Sequence, residues 1–306
     1  MTTLLSTREV AELLDIHEKK VYRLITEQGL PATKVTGKWL FPKHLVLHWL
    51  ENNTLNYPDQ PDQLSHRPSL LVFCGSNDIL LDRCLSLFMR RYPEYTAVFG
   101  NLGSLGGLRA LKQGLCHIAC SHLQQEDSAE FNFDFAAREM DRQPVIVNFS
   151  LRRQGLILPA GNPKGITGLA DLASKSLRIV NRPRTTGTRL WFDRELADQG
   201  VNGAELTGYQ TEVQRHLDAG LEVLNGLADA APGIQTAAAM LGLGFLPLHV
   251  ERFDLLIHKE RFFDRSVQSF LGLLHEQEFH NLAEQLEGYD LSKSGKIVYP
   301  GQDMPE

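Results

Sequence analysis

The 306-residue chain has little that would tie it to a membrane, an oxidising compartment or a known reaction. No run of eighteen or more apolar residues is present, which excludes a hydrophobic membrane-spanning helix. The opening MTTLLSTREV lacks the basic segment, apolar segment and small-residue cleavage site of a signal peptide, so the expected location is the cytoplasm. The four cysteines, Cys74, Cys84, Cys116 and Cys120, form no CxxC pair and read as buried thiols, not as a metal site. The G-x-S-x-G nucleophile motif is absent, since Gly103-Ser104 lacks the required first glycine. H-E-x-x-H is absent too, because His275-Glu276-Gln277-Glu278-Phe279-His280 has the wrong spacing. No carboxylate pair stands out, and the eleven histidines are scattered, with His117 and His122 bracketing a strand end. The expectation is a protein that binds and does not catalyse, with no cofactor and no metal.

A large positive charge is also missing. The formal net charge is −6, which by itself gives no sign of nucleic-acid binding. The average hides an asymmetry. Residues 1–56 hold seven Lys/Arg and six Asp/Glu, a balance of +1 that leaves −7 for the remainder. The positive side chains of this small segment can still share one face.

What is present begins with that segment. Ser6 or Thr7 can cap a helix, with Glu9, three residues after Ser6, completing a capping box and Val10, Leu13 and Leu14 supplying the apolar stripe. A second helix is expected over 18–28, ended by Gly29 and Pro31. Residues 32–42 read as a small hairpin about Gly37, and a third helix follows over 43–51. Trp39, Phe41 and Trp49 are expected to fill this small core. The run LLSTREVAELLDIHEKKVYRLITEQGLPATKVTGKWLFPKHLVLHWL resembles the excisionase-like, MerR-related winged helix-turn-helix domain. That resemblance implies double-stranded DNA as partner, with the second helix in the major groove. Lys19, Lys20, Tyr22 and Arg23 are the exposed candidates on that helix, and Lys34, Lys38 and Lys43 the candidates for backbone phosphates. One such unit makes few phosphate contacts, so a homodimer on a two-fold site is expected.

The expected organisation is a DNA-binding domain at 1–53, a polar, proline-containing linker at 54–67, a large domain at 68–291 and a polar, partly ordered tail at 292–306. Ser69–His122 organises the large domain. Strand candidates at 70–74, 96–99 and 115–120 alternate with helical patterns, the first two ending in small polar turns. Such α/β sheets bind ligands beyond the carboxyl ends of their strands, where helix N-termini point free N–H groups. Further strands are expected at 144–151, 155–158, 177–181, 206–209, 245–247 and 255–258, with Arg152-Arg153-Gln154 lying between two of them. Ala228–Ile234 reads as a turn, and helices are expected at 166–173, 212–226, 235–241, 264–274 and 276–287. Arg182-Pro183-Arg184-Thr185-Thr186-Gly187-Thr188-Arg189 opens another helix with a cluster of hydroxyls and N–H groups that can converge on an oxyanion.

The pieces GSND, GSLGGLRALKQGLCHIACSHL, VNFSLRRQGLILPAGNPKGITGLADL, NRPRTTGTRLWFD and GLADAAPGIQTAAAMLGLGFLPL resemble a cytosolic, two-lobed type II periplasmic-binding-protein-like domain. No GxGxxG follows the first strand, which argues against a dinucleotide site. The superfamily includes molybdate- and tungstate-binding proteins. Carried over by position, the cleft residues are Ser76, Asn77, Ser104, Arg184, Thr185, Thr186, Gly187, Thr188, Gly233 and Ile234. The arginines leave room for a small organic acid beside molybdate or tungstate, the best-matched effectors. The reading is a one-component DNA-binding transcriptional regulator that senses a small anion. Two others stay open: an oxyanion or organic-acid binding protein with incidental DNA binding, and an architectural, excisionase-like DNA-binding factor.

Overall fold

Ser6 and Glu9 set the first boundary. In the computed structural model, which describes residues 4–34, 37–54, 69–125 and 130–301, both halves of the capping box form. The Glu9 N–H donates to Ser6 Oγ at 3.3 Å, and the Ser6 N–H to Glu9 Oε2 at 2.7 Å. The chain divides into two units, Met1–Pro61 and Asp62–Glu306.

The first unit runs β1 (Leu4–Ser6), α1 (Thr7–Leu13), α2 (Glu18–Gln28), β2 (Leu40–Pro42) and α3 (Lys43–Asn52). β1 and β2 pair antiparallel. Gly29 ends α2 in the left-handed region at φ 66°, which costs a glycine little. The core is Leu5, Val10, Ala11, Val21, Leu30, Phe41 and Val46, with Trp39 and Trp49 packed at its margin. The Trp49 indole N–H donates to the Gln28 carbonyl at 2.8 Å and ties α3 to the end of α2. Leu13, expected in the stripe, is exposed instead, because Val10 and Ala11 form the buried face of so short a helix. Thr33 bridges Leu40 across the expected hairpin, while Val35 and Thr36 and residues 55–68, which hold all of the expected linker but Thr54, lie outside the described residues.

The second unit runs β3 (Leu70–Gly75), α4 (Ile79–Arg91), β4 (Thr96–Asn101), α5 (Gly103–Lys112), β5 (Ile118–Ser121), α6 (Phe133–Glu139), β6 (Val145–Leu158), α7 (Ala170–Ser174), α8 (Gly187–Asp198), α9 (His216–Leu224), β7 (Ala231–Ile234), α10 (Gln235–Met240), β8 (Gly244–Ile257), α11 (Arg265–Leu273), α12 (Gln277–Glu284) and β9 (Tyr289–Asp290). Its sheet has the order β4-β3-β5-β8-β6-β7, with β9 on β6. β3 is parallel to β4 and β5, as the strand–turn–helix repeat requires. β6 and β8 pair antiparallel over nearly their whole length, with bulges at Asn148/Ser150 and Gln154/Gly155. Before the first bulge the pair lies beside β5; after the second it lies beside β7. These two strands therefore cross between the lobes of a two-lobed α/β domain, and the segment between the bulges spans the cleft.

Several expected boundaries fail here. The runs 144–151 and 155–158 are one strand, β6, and 245–247 and 255–258 belong to one strand, β8. The charged and polar residues between them do not break the strands: Arg152 and Glu251 are buried and paired across the ladder, Gln154 is buried on the same face, and Arg153 points to the exposed face. Ala231–Ile234, expected as a turn, is the buried strand β7. The helix expected from 212 begins at His216. The strands expected at 177–181 and 206–209 reduce to single bridges at Ile179 and Asn181 and a turn. At Gly208, whose φ is +85°, a Cβ would lie 2.0 Å from the Ile179 carbonyl oxygen, so the two segments press together without forming a ladder. The described part of the tail, 292–301, is tied to β6: the Asn148 N–H donates to Lys296 O, and the Val298 N–H to Ile146 O, each at 2.9 Å.

Candidate functional site

In the first unit all seven proposed DNA-facing side chains are exposed. Lys19, Lys20, Tyr22 and Arg23 lie on α2 away from the buried Val21, as the helical period requires. Arg23 Nε is 3.5 Å from Glu27 Oε2, one turn on. Lys34 Nζ sits 5.5 Å from the Trp39 ring centroid, and Lys38 and Lys43 are exposed.

In the second unit, β3 ends at Gly75 with φ 136°, where a Cβ would come within 2.2 Å of the Cys120 carbonyl oxygen. Only glycine allows β3 and β5 to approach this closely. The approach turns Ser76 toward the end of β5, so that Ser76 Oγ is 2.9 Å from His122 Nε2. His122 Nδ1 is 2.6 Å from Glu251 Oε2. Glu251 in turn pairs with Arg152 Nε, its register partner on β6. Arg152 Nη1 donates to Asp78 Oδ2 at 2.7 Å, and the Tyr289 hydroxyl donates to the same oxygen at 2.7 Å. Every member of this chain from Ser76 to Arg152 and Asp78 is buried.

The charges shape one another. Burial alone would raise the Glu251 carboxyl, but Arg152 and His122 hold it at about 2. Burial would likewise lower Arg152, yet Glu251 and Asp78 more than offset this and raise it. With Glu251 ionised, His122 presents its Nδ1–H to the carboxylate, and Nε2 accepts from the Ser76 hydroxyl. Burial, ahead of the neighbouring charges, keeps His122 low and neutral. This spacing also serves nucleophilic serines in hydrolases. Here the carboxylate is shared with a guanidinium, and the groups gathered beside it are donors.

Arg182 is the decisive member. It is 1% exposed, its Nη2 donates to the Gln214 carbonyl at 2.9 Å, and its Nε and Nη1 have no partner among the described residues. Burial, then the charge of Arg152, push its guanidinium down to about 9, so it remains charged at neutral pH. His216, the first residue of α9, is fully buried, and among the described residues neither ring nitrogen has a partner. Burial, then Arg182, Arg152 and His122, drive it well below its ordinary range. Arg152 Nη2 and Thr188 Oγ1 are also buried without partners among the described residues. Buried donors of this kind cost free energy unless something accepts from them. Two guanidiniums, a hydroxyl and an imidazole gathered at the end of the cleft can hold an anion by charge-assisted hydrogen bonds.

The expected cleft residues divide. Ser76 and Ser104 are buried against His122, whose N–H is 3.4 Å from Ser104 Oγ. At Gly187 a Cβ would lie 2.8 Å from the His122 ring; at Gly233 it would lie 3.7 Å from His216 Nδ1. Thr188 and Ile234 are buried nearby. Thr186 caps α8, accepting from the Arg189 N–H at 3.3 Å. Asn77 donates to Asp82 at 3.2 Å. Arg184 and Thr185 are exposed and do not join the cluster; the guanidinium that does is Arg182, two residues earlier. Thr185 instead meets the other lobe, its carbonyl accepting from the Leu105 N–H at 3.3 Å. The carried-over cleft set left out Arg152, Gln154, His216 and Glu251, and it took Arg184 in place of Arg182 from the hydroxyl-rich run. The available signal was a pair of polar residues, Arg152 and Gln154, at alternate positions inside an otherwise apolar run. His122 joins the site, whereas His117 is occupied on β3, where its Nδ1 accepts from the Val72 N–H at 2.9 Å.

A helix-turn-helix unit joined to a two-lobed domain with a buried set of unpartnered hydrogen-bonding groups defines a DNA-binding type of protein that carries a ligand-binding domain. The chain belongs to the PBP superfamily: that family's domain model matches residues 85–275, and a helix-turn-helix domain model matches residues 4–54. It is 30% identical over 307 residues to the uncharacterized protein YvgK of Bacillus subtilis (strain 168), covering 97% of this chain and 98% of that one. Among solved structures it is similar to a phosphate ABC transporter substrate-binding protein of Clostridium perfringens with bound phosphate, at TM-score 0.54 and 14% identity, over 71% of this chain and 98% of that one. It is also similar to an OxyR mutant of Corynebacterium glutamicum with bound hydrogen peroxide, at TM-score 0.50 and 14% identity, over 92% and 90% of the two chains. Both structural likenesses are likenesses of fold.

Proposed function

We propose that the protein is a one-component transcriptional regulator whose large domain senses a small anion. The observation that carries this reading is Arg182: a guanidinium, 1% exposed, with two unpartnered nitrogens, beside Arg152 and His216. A buried positive charge without a matching carboxylate is stabilised by an anionic ligand. Molybdate and tungstate, expected from the family resemblance, and small organic acids both fit that charge. The ligand favours closure of the two lobes, because its donors on the second lobe stand beside Gly187 and Thr185, where that lobe meets His122 and Leu105 of the first. The head then binds one half of a two-fold DNA site, and a homodimer supplies the other half. Ligand alters DNA affinity by favouring one arrangement of the two domains.

A thermal melt tests the anion site. At one hundred times its Kd, a bound anion adds about 2.7 kcal/mol, or a rise of about 5–10 °C in the melting of the large domain. Arg182→Gln is expected to abolish that rise. An equal rise in the variant would remove Arg182 from the site.

A further inference from the structure

The donor set does not end at the guanidiniums. Residues 150, 152 and 154 of β6 share one face of the strand, as do 249, 251 and 253 of β8. Arg152 faces Glu251, and one step along the same face Gln154 pairs in register with His249. Gln154 is fully buried, and neither its amide oxygen nor its amide nitrogen has a partner among the described residues. His249 Nε2 is unpartnered too, and its ring stacks on Trp191 at 5.9 Å and 17°. Trp191 is 4% exposed, and its indole N–H is unpartnered. On α8, Trp191 follows Thr188 by three residues and so shares its face. Two elements thus lead from the charged pole to a second, neutral one. Along β6 the poles are about 7 Å apart, and along α8 about 5 Å.

A tetrahedral oxyanion held by Arg152, Arg182 and His216 leaves the amide of Gln154 and the indole N–H of Trp191 unsatisfied. We propose that the site takes a small organic anion, its carboxylate or phosphate group at the guanidinium pole and a hydroxyl or carbonyl group at Gln154 and Trp191. This rests on the anion-sensing reading and narrows it. An amide that both donates and accepts, beside an N–H that only donates, is complementary to a hydroxyl or carbonyl oxygen. Sites built to bind such a group discriminate strongly against ligands that lack it, because their own buried groups are then left unpaired.

The test is calorimetric titration of the full chain with L-malate, 2-oxoglutarate and glycerol 3-phosphate, against sulfate, phosphate, molybdate and tungstate. At least one organic anion is expected to bind about tenfold or more tightly than every inorganic ion. Gln154→Leu is expected to erase that advantage and to leave the inorganic affinities within about twofold. Trp191→Phe, which removes only the N–H donor and keeps an aromatic ring, is expected to reduce the advantage in the same direction. It serves as the test should Gln154→Leu not fold. Malate and oxoglutarate, which have no phosphate, against glycerol 3-phosphate, which has no carboxylate, separate a carboxylate head from a phosphate one. Tightest binding by an inorganic ion, with both variants unchanged, would overturn the second pole while leaving the anion site intact. No binding by any of the seven, in a protein that melts cooperatively, would overturn both.

Discussion

Arg182 and His216 make the buried cluster sensitive to protons. The His216 imidazole titrates near its ordinary 6.5 in the unfolded chain and well below that when folded, because burial, Arg182, Arg152 and His122 all disfavour its charge. As pH falls, the unfolded state therefore takes up the proton first. Stability is intact above about pH 7 and is lost as pH drops below about 6.5, at up to about 1.4 kcal/mol for each unit the imidazole is displaced. His122, His117 and His249 are shifted the same way, chiefly by burial, and add to the loss. Glu251 behaves differently: held at about 2, it stabilises the fold above the ordinary carboxylate range and is lost only as pH falls toward 2. A bound anion offsets the arginine field, raises the proton affinity of His216 and restores part of the acid loss. The melting temperature in anion-free buffer is expected to fall between pH 7 and pH 5. His216→Gln should flatten part of that fall, and a saturating anion should flatten it further. Melts across this range, with and without anion, give the comparison; an identical slope in wild type and variant would show that His216 does not titrate as described.

Among the elements, two junctions hold the working parts in place. At Gly103, the first residue of α5, φ is +71°, and a Cβ would lie 2.8 Å from the Thr185 carbonyl oxygen in the facing lobe. Gly103→Val adds bulk where the lobes touch, at a backbone angle that disfavours β-branched residues. It is expected to weaken anion binding by about tenfold or more, read by calorimetry, since about 1.4 kcal/mol of strain against closure suffices. The head is expected to keep its own melting transition. Ser6→Ala acts on the head alone, removing the Ser6 half of the capping box on α1 at a cost of about 1 kcal/mol. In a domain this small that corresponds to about 4–8 °C in its melting, which circular dichroism resolves. The head's elements were legible in the sequence because caps, a C-terminal glycine and a short apolar stripe are local signals. So were β3, α4, β4 and α5, where strand and helix periods alternate cleanly. β6 and β8 were not, because Arg152, Gln154 and Glu251 read as interruptions until their cross-strand partners are known. The site suffered for the same reason. Hydroxyl-rich turns announce themselves locally, whereas Arg182 and Arg184 differ only in which of them the fold turns inward.

For the whole molecule, the claim is that an anion in one unit changes what the other unit does. Lys19, Lys20 and Arg23 are exposed on one helix, and removing their charges should weaken DNA binding and flatten its salt dependence. That shows only that the head binds. Coupling is a stronger statement, because it requires the anion to favour one DNA-binding arrangement over another. The direct measurement is the Kd of the full chain for a duplex selected by the protein from a random pool, at fixed salt. It is taken with and without whichever tested anion raises the wild-type melting temperature most. The expected result is a change in Kd of about fivefold or more in wild type and no change in Arg182→Gln. An anion that stabilises the wild-type protein yet leaves its DNA affinity unmoved would contradict the account.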